Sequence, residues 1–166
     1  MEKLNFPEFD FSFKSKENKT FIFDPIRKKW LVLTPEEWVR QHCIQFLLKI
    51  KNIPFGFIQV EKKLNVNHTE KRYDLVVFKP DHSIDLLVEC KAPSVDITQK
   101  TFDQIARYNS VLKSDYLMLT NGLNHFFCKM DFQKGVYIFL PDLPVYISNK
   151  WNRLLLLYWI GMEKIY

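Results

Sequence analysis

The feature that most constrains the fold of this chain is the apolar run at residues 84–93, which carries an acid and a base two positions apart. Such a run, entered through a polar turn and closed by Pro93, predicts a buried β-strand. Because side chains alternate between the two faces of a strand, Glu89 and Lys91 point to one face while Cys90 points to the other. One strand end therefore presents a carboxylate and an ammonium together.

The composition predicts a single folded domain. Hydrophobic residues make up 47% of the 166 residues and there are only four glycines, which argues against disorder and low complexity. A domain of roughly 150 residues buries about 70% of the surface that its unfolded chain exposes. The formal charge of +5 is compatible with a polyanionic partner but does not by itself predict one.

The cysteines and the apolar segments indicate a soluble, cytoplasmic protein with no membrane partner. The three cysteines lie far apart within apolar segments and lack metal-ligand spacing, which is typical of reduced, buried thiols. The N-terminus lacks the apolar core of a signal peptide. The longest apolar run, at residues 154–160, is much shorter than the ~20 residues of a membrane-spanning helix.

The first 33 residues predict accessory strands. Aromatic and polar residues alternate at 9–13 and at 20–23, on either side of a polar segment at 14–19, and this pattern indicates a β-hairpin. A further strand is expected at 30–33. We interpret these strands as an N-terminal β-hairpin extension of the main fold.

A helix is predicted to begin at Thr34, with Pro35 at the first helical position and Glu37 completing a T-x-x-E capping box. Continuing the apolar stripe of this helix backwards places Glu36 at the edge of the core-facing surface, whereas Glu37 points away. The stripe consists of Val39, Cys43, Phe46, Leu47 and Ile50.

Two strands are predicted before the run at 84–93. They lie at 57–61 and 72–78, separated by a polar linker at 62–71, and a short turn at 79–83 makes the second an antiparallel partner of the next strand. Asp74 interrupts the second strand, where a buried and unpaired carboxylate would cost several kcal/mol. Arg72, on the same strand face, is one candidate to neutralise it.

A second helix follows Pro93, capped by Thr98 or Asp96. Gln104 and Tyr108 stand four residues apart on this helix and share a face. Further strands are predicted at 116–119, 125–129 and 136–140, and a terminal helix at 150–160. This apolar terminal segment is open to two interpretations, a buried helix and a dimer contact.

The order helix, three strands, helix, strand, with Asp74 on one strand and Glu89-Cys90-Lys91 on the next, resembles the PD-(D/E)XK nuclease superfamily. Within it, four segments resemble the N-terminal nuclease region of type I restriction enzyme restriction subunits, in the right order and over residues 21–128. They are TPEEWVRQ from Thr34, KRYDLVVF from Lys71, VECKAP from Val88 and DQIARYN from Asp103.

The resemblance implies an α/β fold with a restriction-endonuclease-like core, in which a central mixed sheet is flanked by helices in the order αβββαβ. We therefore expect one nuclease-like domain over residues 1–166. Within it, residues 1–33 are accessory strands, 34–130 form the PD-(D/E)XK core, and 131–166 form a C-terminal strand and helix.

The chemistry of these residues suits phosphodiester hydrolysis. Mg²⁺ stabilises charge at the scissile phosphate and activates water when a few carboxylate oxygens hold it, and Asp74 and Glu89 are suitable ligands. The resemblance implies that the backbone carbonyl of Cys90 completes the metal site, with Mn²⁺ as a substitute for Mg²⁺. It also makes Glu36 a further candidate ligand. Lys91 is expected to orient or deprotonate the attacking water and to offset phosphate charge.

Two further groups of residues are candidates for contacts near the site. Gln104 and Tyr108 match the Q-x-x-x-Y helix motif of related nucleases, where such residues support the active site or contact the nucleic-acid backbone; the alternative is a solvated glutamine and a core tyrosine. A basic cluster beside the site either holds phosphates or is a solvated loop. It consists of Lys62, Lys63, Lys71 and Arg72. Glu61 is predicted to be an exposed strand-end charge.

The sequence therefore predicts a Mg²⁺-dependent deoxyribonuclease. The ATPase motor that follows this region in restriction subunits is not expected here, because the sequence contains no G-x-x-x-x-G-K-[ST] loop. The alternative is a nucleic-acid or protein-binding module that keeps the fold without turnover. DNA is the expected partner, together with a second copy of the chain or separate motor and specificity subunits.

Overall fold

The computed structural model describes residues 1–66 and 69–146. The helix predicted at 150–160 lies outside the described residues. Within helices and strands, the side chains of Lys71, Gln104 and Tyr108 also lie outside the described part.

The N-terminal segment forms a three-stranded antiparallel sheet, with strands β1 (Phe13–Lys16), β2 (Lys19–Asp24) and β3 (Lys29–Val32) in that order. The predicted polar connection at 14–19 is wrong, because pairing continues up to a two-residue turn. Glu17 and Asn18 both have positive φ, as this tight hairpin turn requires. The side chains of β1 are all exposed, so their polarity does not oppose backbone pairing.

The first helix, α1 (Pro35–Gln45), begins as predicted and is extended by a π-helical segment, Phe46–Ile50. The Thr34 hydroxyl accepts a hydrogen bond from the backbone N–H of Glu37. This contact satisfies one of the donors left without a partner at a helix start.

The predicted orientation of Glu37, which was expected to point away from the core, is wrong. Glu37 is buried, and its carboxylate accepts hydrogen bonds from Arg27 and Arg40. A third donor is the side-chain amide of Gln41, at 2.9 Å. Glu36 has a 47% exposed side chain. Periodicity considers only apolar residues, whereas a carboxylate can face inward when buried donors compensate its charge.

Within the described residues, the main sheet has six strands in the order β4 to β9, and β6 and β7 are the one parallel pair among them. A mixed α/β fold is thereby confirmed. A second helix, α2 (Gln99–Leu112), capped by Thr98, connects the two parallel strands. The strands are β4 (Ile58–Val66), β5 (Thr69–Phe78), β6 (Ile84–Cys90), β7 (Tyr116–Thr120), β8 (His125–Asp131) and β9 (Val136–Leu140).

The polar linker predicted at 62–71 is wrong, because both halves of it belong to the paired arms of β4 and β5. Lys63 forms an ion pair with Glu70 across these arms, at 2.7 Å and with both side chains largely exposed. Strands that face water on one side accommodate such residues. Charge density alone therefore does not mark a loop.

The two helices pack against different sides of the sheet. Val39 from α1 and Leu47 from its π-helical extension share a buried cluster with Leu75, whereas Phe102 from α2 belongs to a second cluster that contains Tyr73. Tyr73 and Leu75 are two residues apart on β5, so the usual alternation of faces breaks between them, at Asp74. In the described part of the chain, no helix is long and apolar enough to span a membrane.

Candidate active site

The candidate site lies where β5 and β6 separate. Their pairing ends at Leu75 and Val88, whereas β6 continues beside β7 to its last residue. Asp74 bridges the separated strands through its side chain, because its Oδ2 accepts a hydrogen bond from the backbone N–H of Cys90 at 2.7 Å. Asp74 is therefore held against the Glu89-Cys90-Lys91 segment by a main-chain contact.

Glu89 and Lys91 form an ion pair on the same side of β6, with Nζ of Lys91 2.7 Å from Oε1 of Glu89. Their side chains are 19% and 30% exposed, so both groups remain accessible from solvent. Burial acts to lower the pKa of Lys91, but the hydrogen bond and charge of Glu89 and the charges of Asp74 and Glu36 outweigh it and raise the pKa. Lys91 is accordingly an ammonium at neutral pH, within the field of three carboxylates.

Arg40 joins this site from α1 and was not among the residues singled out in the sequence. Its Nη2 donates to Oδ1 of Asp74 at 2.7 Å and to Oε1 of Glu36 at 3.0 Å. Its Nη1 donates to the buried carboxylate of Glu37. Burial would lower the pKa of Arg40, but the charges of Asp74 and Glu37 raise it further above its ordinary value. Arg40 is a permanent, buried cation of the site.

Arg72, which the sequence suggested as the neutralising partner of Asp74, does not fill that role. It lies 3.6 Å from Glu61 and its side chain is 65% exposed. Strand neighbours two positions apart share a face only while alternation is regular, and alternation breaks at Asp74. The charge of Asp74 is compensated by Arg40, a residue 34 positions away in the sequence.

A second cation, Arg27, whose side chain is 11% exposed, extends the network into the N-terminal sheet. It donates to Asp24 at 2.6 Å, to Glu37 at 2.6 Å and to Glu61 at 2.7 Å. Asp24 is fully buried at the end of β2. Since both arginines contact Glu37, an unbroken line of alternating charges runs from Asp24 to Asp74.

Glu61 is not the exposed strand-end charge that the sequence suggested. It lies within β4 at the position opposite Asp74 on β5. The neighbouring pairs, Val60 with Leu75 and Lys62 with Tyr73, belong to the ladder, whereas Glu61 and Asp74 are not paired with each other. Its φ of 51° is unusual for a residue other than glycine and marks a local irregularity. Burial would raise the pKa of Glu61, but Arg27 and Arg72 lower it. Strand register alone brings this carboxylate to the site.

The remaining predicted residues lie around this cluster. The backbones of Gln104 and Tyr108 lie on α2 and that of Lys71 on β5, and the positions of their side chains stay predictions. Lys62 is half-buried on β4. The Cys90 side chain is buried in the core cluster shared with α1, as expected, with its Sγ 3.7 Å from that of Cys43.

The donor groups fit a hard divalent cation in chemistry. Glu36, Asp74 and Glu89 offer carboxylate oxygens, the ligands that Mg²⁺ prefers. Within residues 1–66 and 69–146, however, no three acidic, histidine or cysteine side chains form a ready-made metal centre. The carboxylates are bonded to cationic side chains instead. Arg40 donates hydrogen bonds to both Glu36 and Asp74, and Lys91 donates one to Glu89.

Comparison with known proteins identifies the family. Residues 35–144, more than half of the chain, match the family described as the type I restriction enzyme R protein N terminus (HSDR_N). The chain belongs to this family. A search of curated proteins finds no match. In this member of the HSDR_N family the matched segment runs from α1 to beyond β9 and contains the candidate site, whereas Arg27 and Asp24 lie before it.

A sequence signal for Arg40 did exist. Charged residues three or four positions apart on a helix are neighbours, and Arg40 follows Glu37 by three and Glu36 by four. That spacing indicates local ion pairs. It carries no information about Asp74, which only the packing of α1 against β5 brings into contact with Arg40.

Proposed function

We propose that this chain is a metal-dependent nuclease domain that hydrolyses phosphodiester bonds in DNA, built on a restriction-endonuclease-like PD-(D/E)XK core. The observation that carries the proposal is the meeting of Asp74 with the Glu89-Cys90-Lys91 segment at neighbouring strand ends. Membership in the R protein N-terminal family supports it. The order of α1, three antiparallel strands, α2 and the parallel strand β7 is consistent with such a core.

Asp74, Glu89 and the backbone carbonyl of Cys90 are the groups we propose to hold Mg²⁺ or Mn²⁺, with Glu36 as a further ligand. When bound, the ion supplies charge stabilisation at the phosphate and an acidified water. The protein's own part is to bring the carboxylates together and to keep their negative charge accessible to solvent on one side.

Lys91 is proposed to act first as a cation. Its raised pKa favours the ammonium form, which can donate a hydrogen bond to a phosphate oxygen or to the attacking water. An ammonium beside a developing phosphate charge stabilises the transition state without a proton transfer. Gln104 and Tyr108 on α2 are proposed to support the site.

DNA is the proposed substrate, and separate motor and specificity subunits are the proposed protein partners, with self-association as the alternative. The name of the family, which refers to type I restriction enzymes, supports both an interaction with DNA and assembly with other subunits. The domain would then supply the cutting chemistry of an assembly.

The proposed function is tested by incubating purified protein with plasmid, linear duplex, single-stranded DNA and RNA. We expect DNA cleavage with Mg²⁺ or Mn²⁺ and none with EDTA. Lys91→Met is expected to lower the cleavage rate by about 10²-fold, because a positioned group of this kind contributes roughly that much. The readout is the initial rate on the best substrate.

Lys79→Met is the matched control for Lys91→Met. Lys79 is 32% exposed and pairs with Asp115 at 2.6 Å, as Lys91 pairs with Glu89, but it lies beyond the far end of β5 from Asp74. Its replacement is expected to leave the rate unchanged. Cleavage that persists at the wild-type rate in Lys91→Met would exclude the proposed role of the lysine.

A non-catalytic module on the same fold, binding nucleic acid or protein, is the second candidate function. One observation favours it: both oxygens of Asp74 are already hydrogen-bonded, to Arg40 and to the Cys90 N–H. This alternative predicts binding in the assay above without any metal-dependent cleavage.

Arg72→Ala is expected to weaken DNA binding about equally for all sequences. Arg72 is largely exposed beside Glu61, which lies opposite Asp74, so its guanidinium is available to a phosphate near the site. Losing one phosphate contact should reduce the slope of log K against log salt by about 1. Fluorescence anisotropy in EDTA at several salt concentrations measures this slope.

Lys129→Ala is the control, because Lys129 is exposed on β8, three strands away from β5. Its replacement should leave the slope unchanged. An equal loss of slope in both variants would mean that binding depends on overall charge and not on a surface next to the site.

A further inference from the structure

The position of the Arg40 guanidinium suggests a role in controlling the metal site. Its Nη2 lies between Oε1 of Glu36 and Oδ1 of Asp74, at 3.0 and 2.7 Å. A divalent ion would bind the same two oxygens at about 2.0–2.6 Å. Nη2 therefore stands where such an ion would have to lie in order to bridge the two carboxylates.

We propose that Arg40 is a resident counter-cation that a divalent metal must displace from Asp74 and Glu36, so that Arg40 sets the metal affinity of the site. This inference rests on the proposed function for the identity of the metal ligands. It assigns Arg40 the role of a positioning residue, which holds the two carboxylates together before the metal binds and competes with the metal for them.

Arg40 can give up Nη2 without becoming an unpaired buried charge. Its Nη1 is bonded to Glu37, which also receives hydrogen bonds from Arg27 and Gln41 and is thereby held in place. Its Nε is buried with no hydrogen-bond partner among the described residues. In its present position the guanidinium therefore leaves one of its hydrogen-bond donors, Nε, without a partner in the described part of the chain. It would keep its hydrogen bond to Glu37 if Nη2 moved away from Asp74 and Glu36.

The charges of the cluster favour the arrival of a further cation. Among the described side chains that form it, carboxylates outnumber cations. The carboxylates are Asp24, Glu36, Glu37, Glu61, Asp74 and Glu89, and the cations are Arg27, Arg40, Lys91 and the exposed Arg72. A divalent ion can therefore add to the cluster while Arg40 remains within it.

Replacing Arg40 with lysine separates competition from charge. Arg40→Lys keeps a positive charge near Glu37 but has a single side-chain nitrogen, whereas the guanidinium of arginine uses two. The lysine therefore cannot bond to Glu37 and also to Asp74 and Glu36 in the way that arginine does. We expect Mn²⁺, titrated without DNA and followed by electron paramagnetic resonance of the free ion, to bind about 10- to 100-fold more tightly. That factor corresponds to the loss of one competing charge-assisted hydrogen bond.

Lys51→Arg is the matched control, because Lys51 is also a buried cation paired with a carboxylate, Asp142, but lies outside the cluster and contacts neither Asp74 nor Glu36. Its Mn²⁺ affinity should equal that of the wild type. Unchanged or weaker Mn²⁺ binding in Arg40→Lys would overturn the proposal and show that Arg40 prepares Asp74 for the metal.

A measurement on the wild-type protein keeps the proposal testable if Arg40→Lys does not fold. In nitrogen NMR of arginine side chains, saturating Mg²⁺ should shift the Nη signals of Arg40 and leave those of Arg27 in place. Unshifted Arg40 signals would overturn the proposal.

Failure of this inference and failure of the proposed function give different results. DNA cleavage with Mg²⁺ in the wild type, combined with equal Mn²⁺ affinities of wild type and Arg40→Lys, would support the proposed nuclease function and overturn the proposal that Arg40 competes with the metal. Tighter Mn²⁺ binding in Arg40→Lys without cleavage by the wild type would support competition between Arg40 and the metal and overturn the proposed nuclease function. Mn²⁺ binding by neither protein overturns both.

Discussion

Asp74→Asn is expected to abolish metal-dependent DNA cleavage, with a loss of about 10³-fold or more. Asp74 is the carboxylate that joins β5, β6 and α1, through the Cys90 N–H and Arg40. A metal ion stabilises a phosphoryl transition state by several kcal/mol. At about 1.4 kcal/mol for each factor of ten, losing one charged ligand of that ion accounts for an effect of this size.

The same substitution should remove Mn²⁺ binding while leaving the fold in place. Asparagine has the shape of aspartate, and its amide oxygen can still accept the hydrogen bond from Cys90. Cleavage rate, Mn²⁺ affinity and the urea unfolding midpoint should therefore be measured on the same preparation. A loss of cleavage with a wild-type midpoint would locate the defect in the chemistry.

Asp85→Asn is the matched control for Asp74→Asn. Asp85 lies near the start of β6, at the opposite end of that strand from Glu89, and is half-buried. Burial raises the pKa of Asp85, so this carboxylate is also influenced by its surroundings. Its replacement is expected to leave cleavage unchanged. Cleavage by Asp74→Asn at a rate within tenfold of the wild type would exclude Asp74 as a metal ligand.

Arg27→Met is expected to lower the free energy of unfolding by about 3–5 kcal/mol, because removing one partner of a buried ion pair leaves the others uncompensated. Arg27 has an 11% exposed side chain and contacts Asp24, Glu37 and Glu61. Two of these carboxylates are buried, and methionine offers them no donor. Urea unfolding at neutral pH measures the difference.

Lys63→Met is the control for Arg27→Met. The ion pair of Lys63 with Glu70 has a similar length, 2.7 Å, but its side chains are 65% and 61% exposed. Exposed pairs of this kind contribute about 0–1 kcal/mol. Equal losses of stability in the two variants would contradict the view that burial makes the Arg27 network important.

The Arg27 network also gives the N-terminal sheet a part in the site. Arg27 and Asp24 lie outside the segment that matches the R protein family, yet Arg27 contacts Glu37, which in turn contacts Arg40. The accessory strands are thus joined to the candidate active site by buried charges. Deletion of the N-terminal sheet is for this reason expected to disturb the candidate site, although the deleted residues lie outside the matched segment.

Much of the fold was readable from short-range signals. The Thr34 and Thr98 caps, the strand at 84–90 and the helix on which Gln104 and Tyr108 lie depend on contacts between residues a few positions apart, and the structure has all of them. Two connections were predicted wrongly, at 14–19 and 62–71. In both, exposed polar side chains concealed strands that backbone hydrogen bonds hold together.

The sequence by itself determined that Glu89 and Lys91 share a face, because the period of a strand is two. Only the tertiary structure decided that Glu37 points inward, that Arg40 holds Asp74, and that Glu61 lies opposite it. The reason is physical: a buried charge is stable only with partners, and these partners come from α1, the N-terminal sheet and a neighbouring strand. The spacing of apolar residues along one helix or strand indicates which of its faces is buried. The partners of a buried charge depend instead on which helices and strands pack against each other.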